Sequence, residues 1–163
     1  MLIRPARVDD VHVLYELLRE SAAEQGGLQS LCATPENLTE DGFGPAPRFE
    51  ALLADVDGAA VGLVLYHYIY STWTSRNNLY VEDLYVRPGF RRQGAAREMM
   101  RALARVGGEE SCQRMIWLVL RNNPAVRFYR GLGAVAMEEW MPMDLKAPAI
   151  DSLMQPIALE DKR

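Results

Sequence analysis

Cysteine and histidine are scarce in this chain, with Cys32 and Cys112, and His12 and His67, the whole complement in 163 residues. Two cysteines so far apart make neither a disulfide framework nor a CxxC redox site, so a reducing, cytoplasmic setting is expected. Neither histidine has a second ligand type at metal-site spacing, and no metal is expected. Long apolar runs are also missing. No stretch approaches the ~18 apolar residues of a membrane span, and the N-terminus MLIRPARVDD carries charge where a signal peptide needs an apolar run. No membrane association is expected. Lysine is nearly absent: 16 of the 18 basic residues are arginine, and the 22 acidic residues outnumber them to give a formal net charge of −4. An acidic chain of this kind argues against a nucleic-acid partner, which usually meets a basic domain.

What is present is the balance of one soluble globular domain, 49% hydrophobic and 25% charged. A chain of this size buries roughly 68 to 70% of its unfolded surface and needs no covalent staple. The charge is unevenly spread. Arg87, Arg91, Arg92, Arg97, Arg101 and Arg105 face a single acid, Glu98, between positions 87 and 105. A basic segment in an acidic protein is a local anion site or a solvated helix face.

The pattern along the chain predicts a strand over residues 2–6, then a helix capped by Asp9 or Asp10 with Val11, Leu14, Leu17 and Leu18 near one face. Thr34-Pro35 followed by Asn37 predicts a second helix start, with Gly42 as its stop. Strands over 48–56 and 59–70 are joined by Asp57-Gly58, a hairpin signal, and a third runs from Leu79 to Val86 into the turn Arg87-Pro88-Gly89. Gly94 to Val106 has helical periodicity, ended by Gly107-Gly108. Met115 to Leu120 reads as a strand buried on both faces, Asn122-Asn123-Pro124 opens a helix through Arg130, and Ala134 to Leu145 reads as a closing strand. This order argues an α/β (α+β) fold, a mixed sheet with helices on both sides. Periodicity is lost from Lys146, so residues 1–145 read as the domain and 146–163 as a tail.

The densest chemical signal is LYVEDLYVRPGFRRQGAAREMM, residues 79–100: a strand, a turn, and a basic glycine-containing loop entering a helix. The first N–H groups of a helix lack intrahelical partners and sit at the positive end of its dipole, so the turn from Arg91 to Ala96 (Arg91, Arg92, Gln93, Gly94, Ala95, Ala96) outlines an anion cradle. Gly94 and the two alanines leave room for close backbone approach. The loop lacks the GK[ST] of a Walker loop and the three glycines of a dinucleotide fingerprint. Taken alone, the same residues suit an ordinary helix start with solvated arginines.

Arg91-x-x-Gly94-x-Ala96 after Leu84-Tyr85-Val86, followed by Asn122-x-Pro124-Ala125-x-x-Phe128-Tyr129-x-x-x-Gly133, resembles the Gcn5-related N-acetyltransferases. Ile3-Arg4-Pro5-Ala6, the segment LTEDGFG from Leu38 to Gly44, and Leu79-Tyr80-Val81-Glu82-Asp83 are similar to the branch that acetylates diamines (spermidine and spermine) and thialysine. The resemblance covers roughly residues 2–145. It implies a mostly antiparallel central sheet, acetyl-coenzyme A as donor and a homodimer. Backbone groups of Leu84, Tyr85 and Val86 would hold the acetyl and pantetheine arm, and N–H groups from Arg92 to Arg97 the pyrophosphate. Asn122, with Pro124 and Ala125, would meet the pantetheine arm, or Asn122 would simply cap the helix. Ala96 stands where the family often has glycine, and Arg92 where a small residue is common.

Acetyl transfer to an amine needs a neutral nitrogen, a stabilised oxyanion and a proton for the departing thiolate. Tyr129 matches the family's general acid, and its alternative is a core aromatic beside Phe128. Glu82, or its neighbour Asp83, would accept the amine's proton. On a regular strand adjacent side chains alternate, so one of the two is expected to face the site. Glu82, Asp83, Glu24 and Glu40 would attract a cationic amine. Trp73, Tyr68 and Tyr70 would wall a methylene chain or pack the hairpin. The expected acceptor is a primary amine on a small cationic molecule, a polyamine or a thialysine- or lysine-like amino acid. Another amine, or a coenzyme-binding sensor without catalysis, stands as the alternative.

Overall fold

The structure, a computed structural model, describes residues 1–155. The chain divides into two compact units, Met1–Asn123 and a second beginning at Pro124.

The first unit is built on a five-stranded sheet in the order β1 (Leu2–Pro5), β2 (Glu50–Val56), β3 (Ala59–Ser71), β4 (Arg76–Val86) and β5 (Met115–Ile116). Three neighbouring pairs are antiparallel, and β4–β5 is parallel. The β2–β3 turn uses Asp57 at φ +51° and Gly58 at φ +83°, the two positive dihedrals of a type I′ turn, which matches the twist of the flanking strands. Helices cover both faces. α1 (Val11–Glu24) and α2 (Pro35–Phe43) pack Val11, Leu14, Leu17, Leu18 and Leu38 against Ala51, Leu53, Leu63, Leu65 and Tyr85. On the other face, α3 (Ala95–Glu109) packs Ala95, Met99 and Leu103 against Leu52, Val64, Tyr66, Leu79, Val81 and Val86. Each fully buried Leu, Val or Met contributes about 1.5–3 kcal/mol, so the two apolar faces supply the main force that holds helices to sheet.

Local chemistry sets the helix starts, with two departures from the sequence reading. Thr34 Oγ1 accepts from the Asn37 N–H at 3.2 Å, with Pro35 in the first turn. Asp10 stands at the start of α1 without capping it. Its carboxylate accepts from the Arg7 N–H at 2.8 Å and from the Arg4 guanidinium at 2.7 and 2.9 Å, and that arginine holds its pKa below the usual carboxylate range. Glycines do not stop the helices where the sequence pattern put the stops. α2 runs through Gly42 to Phe43, and its closing bond goes from the Gly44 N–H to the Glu40 carbonyl at 3.1 Å, while α3 runs through Gly107 and Gly108 to Glu109. In both helices glycine costs about 1 kcal/mol, which neighbouring turns absorb.

Two expected strands are cut down. Of Met115 to Leu120, Met115 and Ile116 alone join the ladder, opposite Leu79 and Tyr80, and Leu118 and Leu120 are exposed rather than buried on both faces. Ala134 to Leu145 forms no strand. In this segment the Ala134 N–H returns to the Tyr129 carbonyl and the Trp140 N–H to the Met137 carbonyl, while Pro142 has no N–H to offer. The second unit instead contains α4 (Ala125–Arg130) and α5 (Ala147–Leu153). α5 gives the expected tail a helical turn, and residues 156–163 of that tail lie outside the described residues.

Candidate active site

The basic loop leaves β4 through one tight turn at Pro88–Phe90 and enters α3 after Gly94. Gly94 is left-handed at φ +94°, and so is Arg92 at φ +61°. For arginine that conformation costs roughly 1–2 kcal/mol. The Arg91 N–H donates to the Pro88 carbonyl at 3.3 Å and the Glu98 N–H to the Gly94 carbonyl at 3.0 Å. Between them, the six N–H groups from Arg92 to Arg97 donate to no protein acceptor among the described residues. A Cβ built on Gly94 meets nothing within 4 Å, so the space above the loop is open. Consecutive amides in right- and left-handed conformations at the positive end of a 15-residue helix form a concavity suited to an anion with several oxygens. A pyrophosphate fits that donor set.

The two arginines that frame the loop are held from α1. Arg87 donates to Glu20 through Nε at 3.1 and 3.0 Å and Nη2 at 2.8 Å, and through Nη1 to the Ala60 carbonyl at 3.0 Å. Arg91 donates to Glu24 through Nη1 at 2.8 Å and Nη2 at 2.5 Å, and through Nε to the Val86 carbonyl at 2.7 Å. Arg91 holds the Glu24 carboxyl below its usual pKa. Glu24 therefore stands in an ion pair with the loop.

The carboxylates of β4 sit on an irregularity that no residue pattern announced. Leu65 pairs with Asp83 and Tyr66 with Val81, so Glu82 has no partner on β3 and forms a β-bulge. Packing shows the consequence. Leu79 and Val81 face α3, and so do Leu84 and Val86, although 81 and 84 would fall on opposite faces of a regular strand. The two residues between them therefore both turn toward the α1–α2 face. The expectation that one carboxylate would face away is corrected by the extra residue. Glu82 is exposed and Asp83 half-buried. Burial, and then the Glu82 charge, raise the Asp83 pKa above the ordinary aspartate value. Tyr80 shares this face and its phenol is shifted upward by burial and then by Glu82. Its ring lies 5.0 Å from that of His67. The contact between His67 and Tyr80 carried no signal in the sequence, because the hairpin register that pairs them follows from the bulge.

The expected aromatic wall is dispersed. Tyr68 packs into the α3 face against Tyr66, their ring centroids 6.1 Å apart. Tyr70 is exposed, and Trp73, 93% exposed, stands on the turn beyond the last β3–β4 pair, Ser71↔Arg76. That pair is five register steps from Val81, roughly 16 Å along the strand. Glu40 lies exposed on α2.

β4 loses its second neighbour after Tyr80, so the outer edge from Val81 to Val86 meets no strand among the described residues. Leu84 and Val86 turn their backbone groups to this open edge, while Tyr85, opposite Leu63 and in step with the Arg87 N–H bond to Val61, turns its own toward β3; the Val86 carbonyl is already taken by Arg91. Asn122 is exposed in a turn; Pro124, with the helix opening at Ala125, takes the capping position that Asn122 could have filled. Within the second unit, Tyr129 lies on α4 beside Phe128, with ring centroids 5.3 Å apart. It is half-buried, and burial raises its phenol pKa, which keeps it protonated at neutral pH.

Comparison with known proteins agrees with this arrangement. The chain is 35% identical over 148 residues to a thialysine N-epsilon-acetyltransferase of Sus scrofa, covering 85% of this chain and 86% of that protein. It is 31% identical over 141 residues to spermidine/spermine N(1)-acetyltransferase-like protein 1 of Homo sapiens, covering 82% of this chain and 20% of that protein. The fold matches an integron cassette protein from the mobile metagenome of V. cholerae with a TM-score of 0.75 at 21% identity, covering 95% and 98% of the two chains. Residues 12–134, which include the amide cradle and the bulged strand, match the acetyltransferase (GNAT) family, and the chain is a member of that family of enzymes.

Proposed function

We propose that this acetyltransferase moves the acetyl group of acetyl-coenzyme A to a primary amine of a small cationic molecule, a polyamine or a thialysine- or lysine-like amino acid. The observation that carries the reading is the bulge at Glu82, which turns two adjacent carboxylates to one face of the strand that feeds the amide cradle. Two carboxylates side by side attract a protonated amine and offer it a proton acceptor. The names of the relatives, which speak of thialysine and of spermidine and spermine, support the same class of acceptor.

In this reading the amides from Arg92 to Arg97 bind the coenzyme's pyrophosphate, and the open backbone edge from Leu84 to Val86 takes the arm that bears the acetyl group. Asn122, Pro124 and Ala125 border that arm. Glu82 assists deprotonation of the amine, Asp83 holds the cation, and Tyr129 protonates the leaving thiolate. The free thiols Cys32 and Cys112 fit a reducing, cytoplasmic setting, and the exposed Met137, Trp140, Met141 and Met143 fit a homodimer contact.

A panel of amines followed by thiol release tests the proposal. Preference for spermidine, thialysine or lysine over an aminoglycoside or a peptide N-terminus supports it. Preference for either of the last two, or tight coenzyme binding with no release for any amine, overturns it.

A further inference from the structure

We propose that Glu24 is a positioning residue for the coenzyme loop, its two-pronged ion pair with Arg91 fixing the chain at the point where the unpaired amides begin. The inference rests on the reading of that loop as the coenzyme's pyrophosphate site.

Every nitrogen of the Arg91 guanidinium is committed within the protein. Nη1 and Nη2 bind the two Glu24 oxygens at 2.8 and 2.5 Å, Nε binds the Val86 carbonyl at 2.7 Å, and Cζ sits 5.6 Å from the centre of the Tyr85 ring. A planar fork held at both prongs and at its stem has one orientation. One helix turn earlier, Glu20 holds Arg87 through Nε and Nη2, with Glu16 3.7 Å from Arg87. Residues 16, 20 and 24 recur at i, i+4 and i+8, so α1 presents one acidic stripe to both arginines of the turn.

The strain in the loop explains why such a hold is needed. Arg92, the next residue, sits at φ +61°, and a side-chain-bearing residue stays there when its surroundings over-determine it. Freed from Glu24, the loop would relax toward ordinary dihedrals and turn amides away from a common centre. Arg92 and Arg97 make no ion pair or side-chain hydrogen bond among the described residues, whereas three of the five N–H donors of Arg91 are already taken within the protein. Glu24, expected from the sequence to meet the amine, has both oxygens in the Arg91 fork instead, so its effect falls on the coenzyme.

Coenzyme A titrated calorimetrically into wild type, Glu24→Gln, Arg91→Lys and the double variant, together with KM values for acetyl-coenzyme A and for spermidine or thialysine, tests this. Glu24→Gln should weaken coenzyme A binding about three- to fivefold, the scale of an exposed, well-aligned pair, and raise KM for acetyl-coenzyme A equally while KM for the amine holds. Combined with Arg91→Lys it should add almost nothing, because both changes break one contact. Unchanged coenzyme affinity in Glu24→Gln, or a rise confined to the amine's KM, overturns the proposal while wild-type binding of coenzyme A leaves the pyrophosphate reading intact. A wild-type protein that binds no coenzyme A overturns that reading and this one together.

Discussion

The ring of His67 lies across that of Tyr80 from the neighbouring strand, their centroids 5.0 Å apart and their planes tilted by 34°. Both residues sit between core residues that face α3, so both rings point to the face that carries Glu82 and Asp83. A cation drawn to those carboxylates passes an aromatic surface. Replacing Tyr80 with Leu keeps an apolar side chain there and removes the π face, and a cation–π contact of about 1 kcal/mol is worth roughly fivefold. The expected outcome is a rise of about that size in KM for the amine with KM for acetyl-coenzyme A unchanged. Equal KM values in variant and wild type would remove Tyr80 from the acceptor site.

Gly94 is required by its dihedral more than by crowding. Its φ of +94° suits no β-branched residue, while a Cβ there would meet open space in the protein. Gly94→Val should therefore weaken coenzyme A binding by about tenfold, from a strain of roughly 1–2 kcal/mol, before any clash with the ligand is added. Calorimetry with coenzyme A alone reads this directly. Affinity equal to wild type would move the anion site off the loop.

Tyr129→Phe keeps the ring and its packing beside Phe128 and removes the proton donor. Turnover should fall by ~10² to 10⁴-fold, the usual range for general acid catalysis, with coenzyme affinity and melting temperature close to wild type. The measurement belongs under conditions where chemistry limits the rate. An unchanged turnover number there would leave Tyr129 as a structural aromatic.

Much of this was legible in the residues, for identifiable reasons. The helix faces of α1 and α3 and the Asp57-Gly58 hairpin follow from periodicities of 3.6 and 2 and from one turn signal, and they survive intact. The cradle was legible because its donors are backbone groups whose position depends on the strand–loop–helix order. The bulge was not. Val81-Glu82-Asp83-Leu84 contains neither glycine nor proline, and the register shift arises from β3 and β4 pairing along their whole length. Consequently the sharing of one face by Glu82 and Asp83, the His67–Tyr80 contact and the dispersal of Tyr68, Tyr70 and Trp73 all had to come from the fold. The closing strand failed for a different reason: the segment from Ala134 to Leu145 reads as extended, but its Ala134 and Trp140 N–H groups close local turns and Pro142 has no N–H to offer a ladder.

The same segment motivates the expected dimer. Trp140 and Met143 are 69% and 86% exposed, with Met137 and Met141 exposed beside them, more apolar surface than a single soluble chain usually leaves bare. Light scattering at micromolar concentration should give twice the 18.4 kDa chain mass. A single monomer-sized species would defeat the dimer, and Trp140→Glu should produce that species if the segment forms the contact.

Asp83 links the site to stability, and the sign follows from its raised pKa. Because burial and the Glu82 charge disfavour its ionised form in the folded protein, the native state keeps a proton that the unfolded chain has lost. Between the ordinary aspartate value and the raised one, the folded state binds more protons, so stability falls as pH rises through that window. Above the raised value both states are ionised and the whole penalty is present. Below the ordinary value both are protonated and it vanishes. Asp83→Asn cannot ionise and escapes the penalty, so it should melt higher than wild type at pH 7, with the difference shrinking as pH falls below the usual aspartate range. The same variant should bind the cationic amine less well if, as proposed, the charge that destabilises the fold is the one that attracts the substrate. Melting curves at pH 7 and near pH 3.5, paired with KM for the amine, check both halves. A variant no more stable than wild type at pH 7 would mean that Asp83 is well solvated or paired, and that its carboxylate carries no stored cost for the acceptor to relieve.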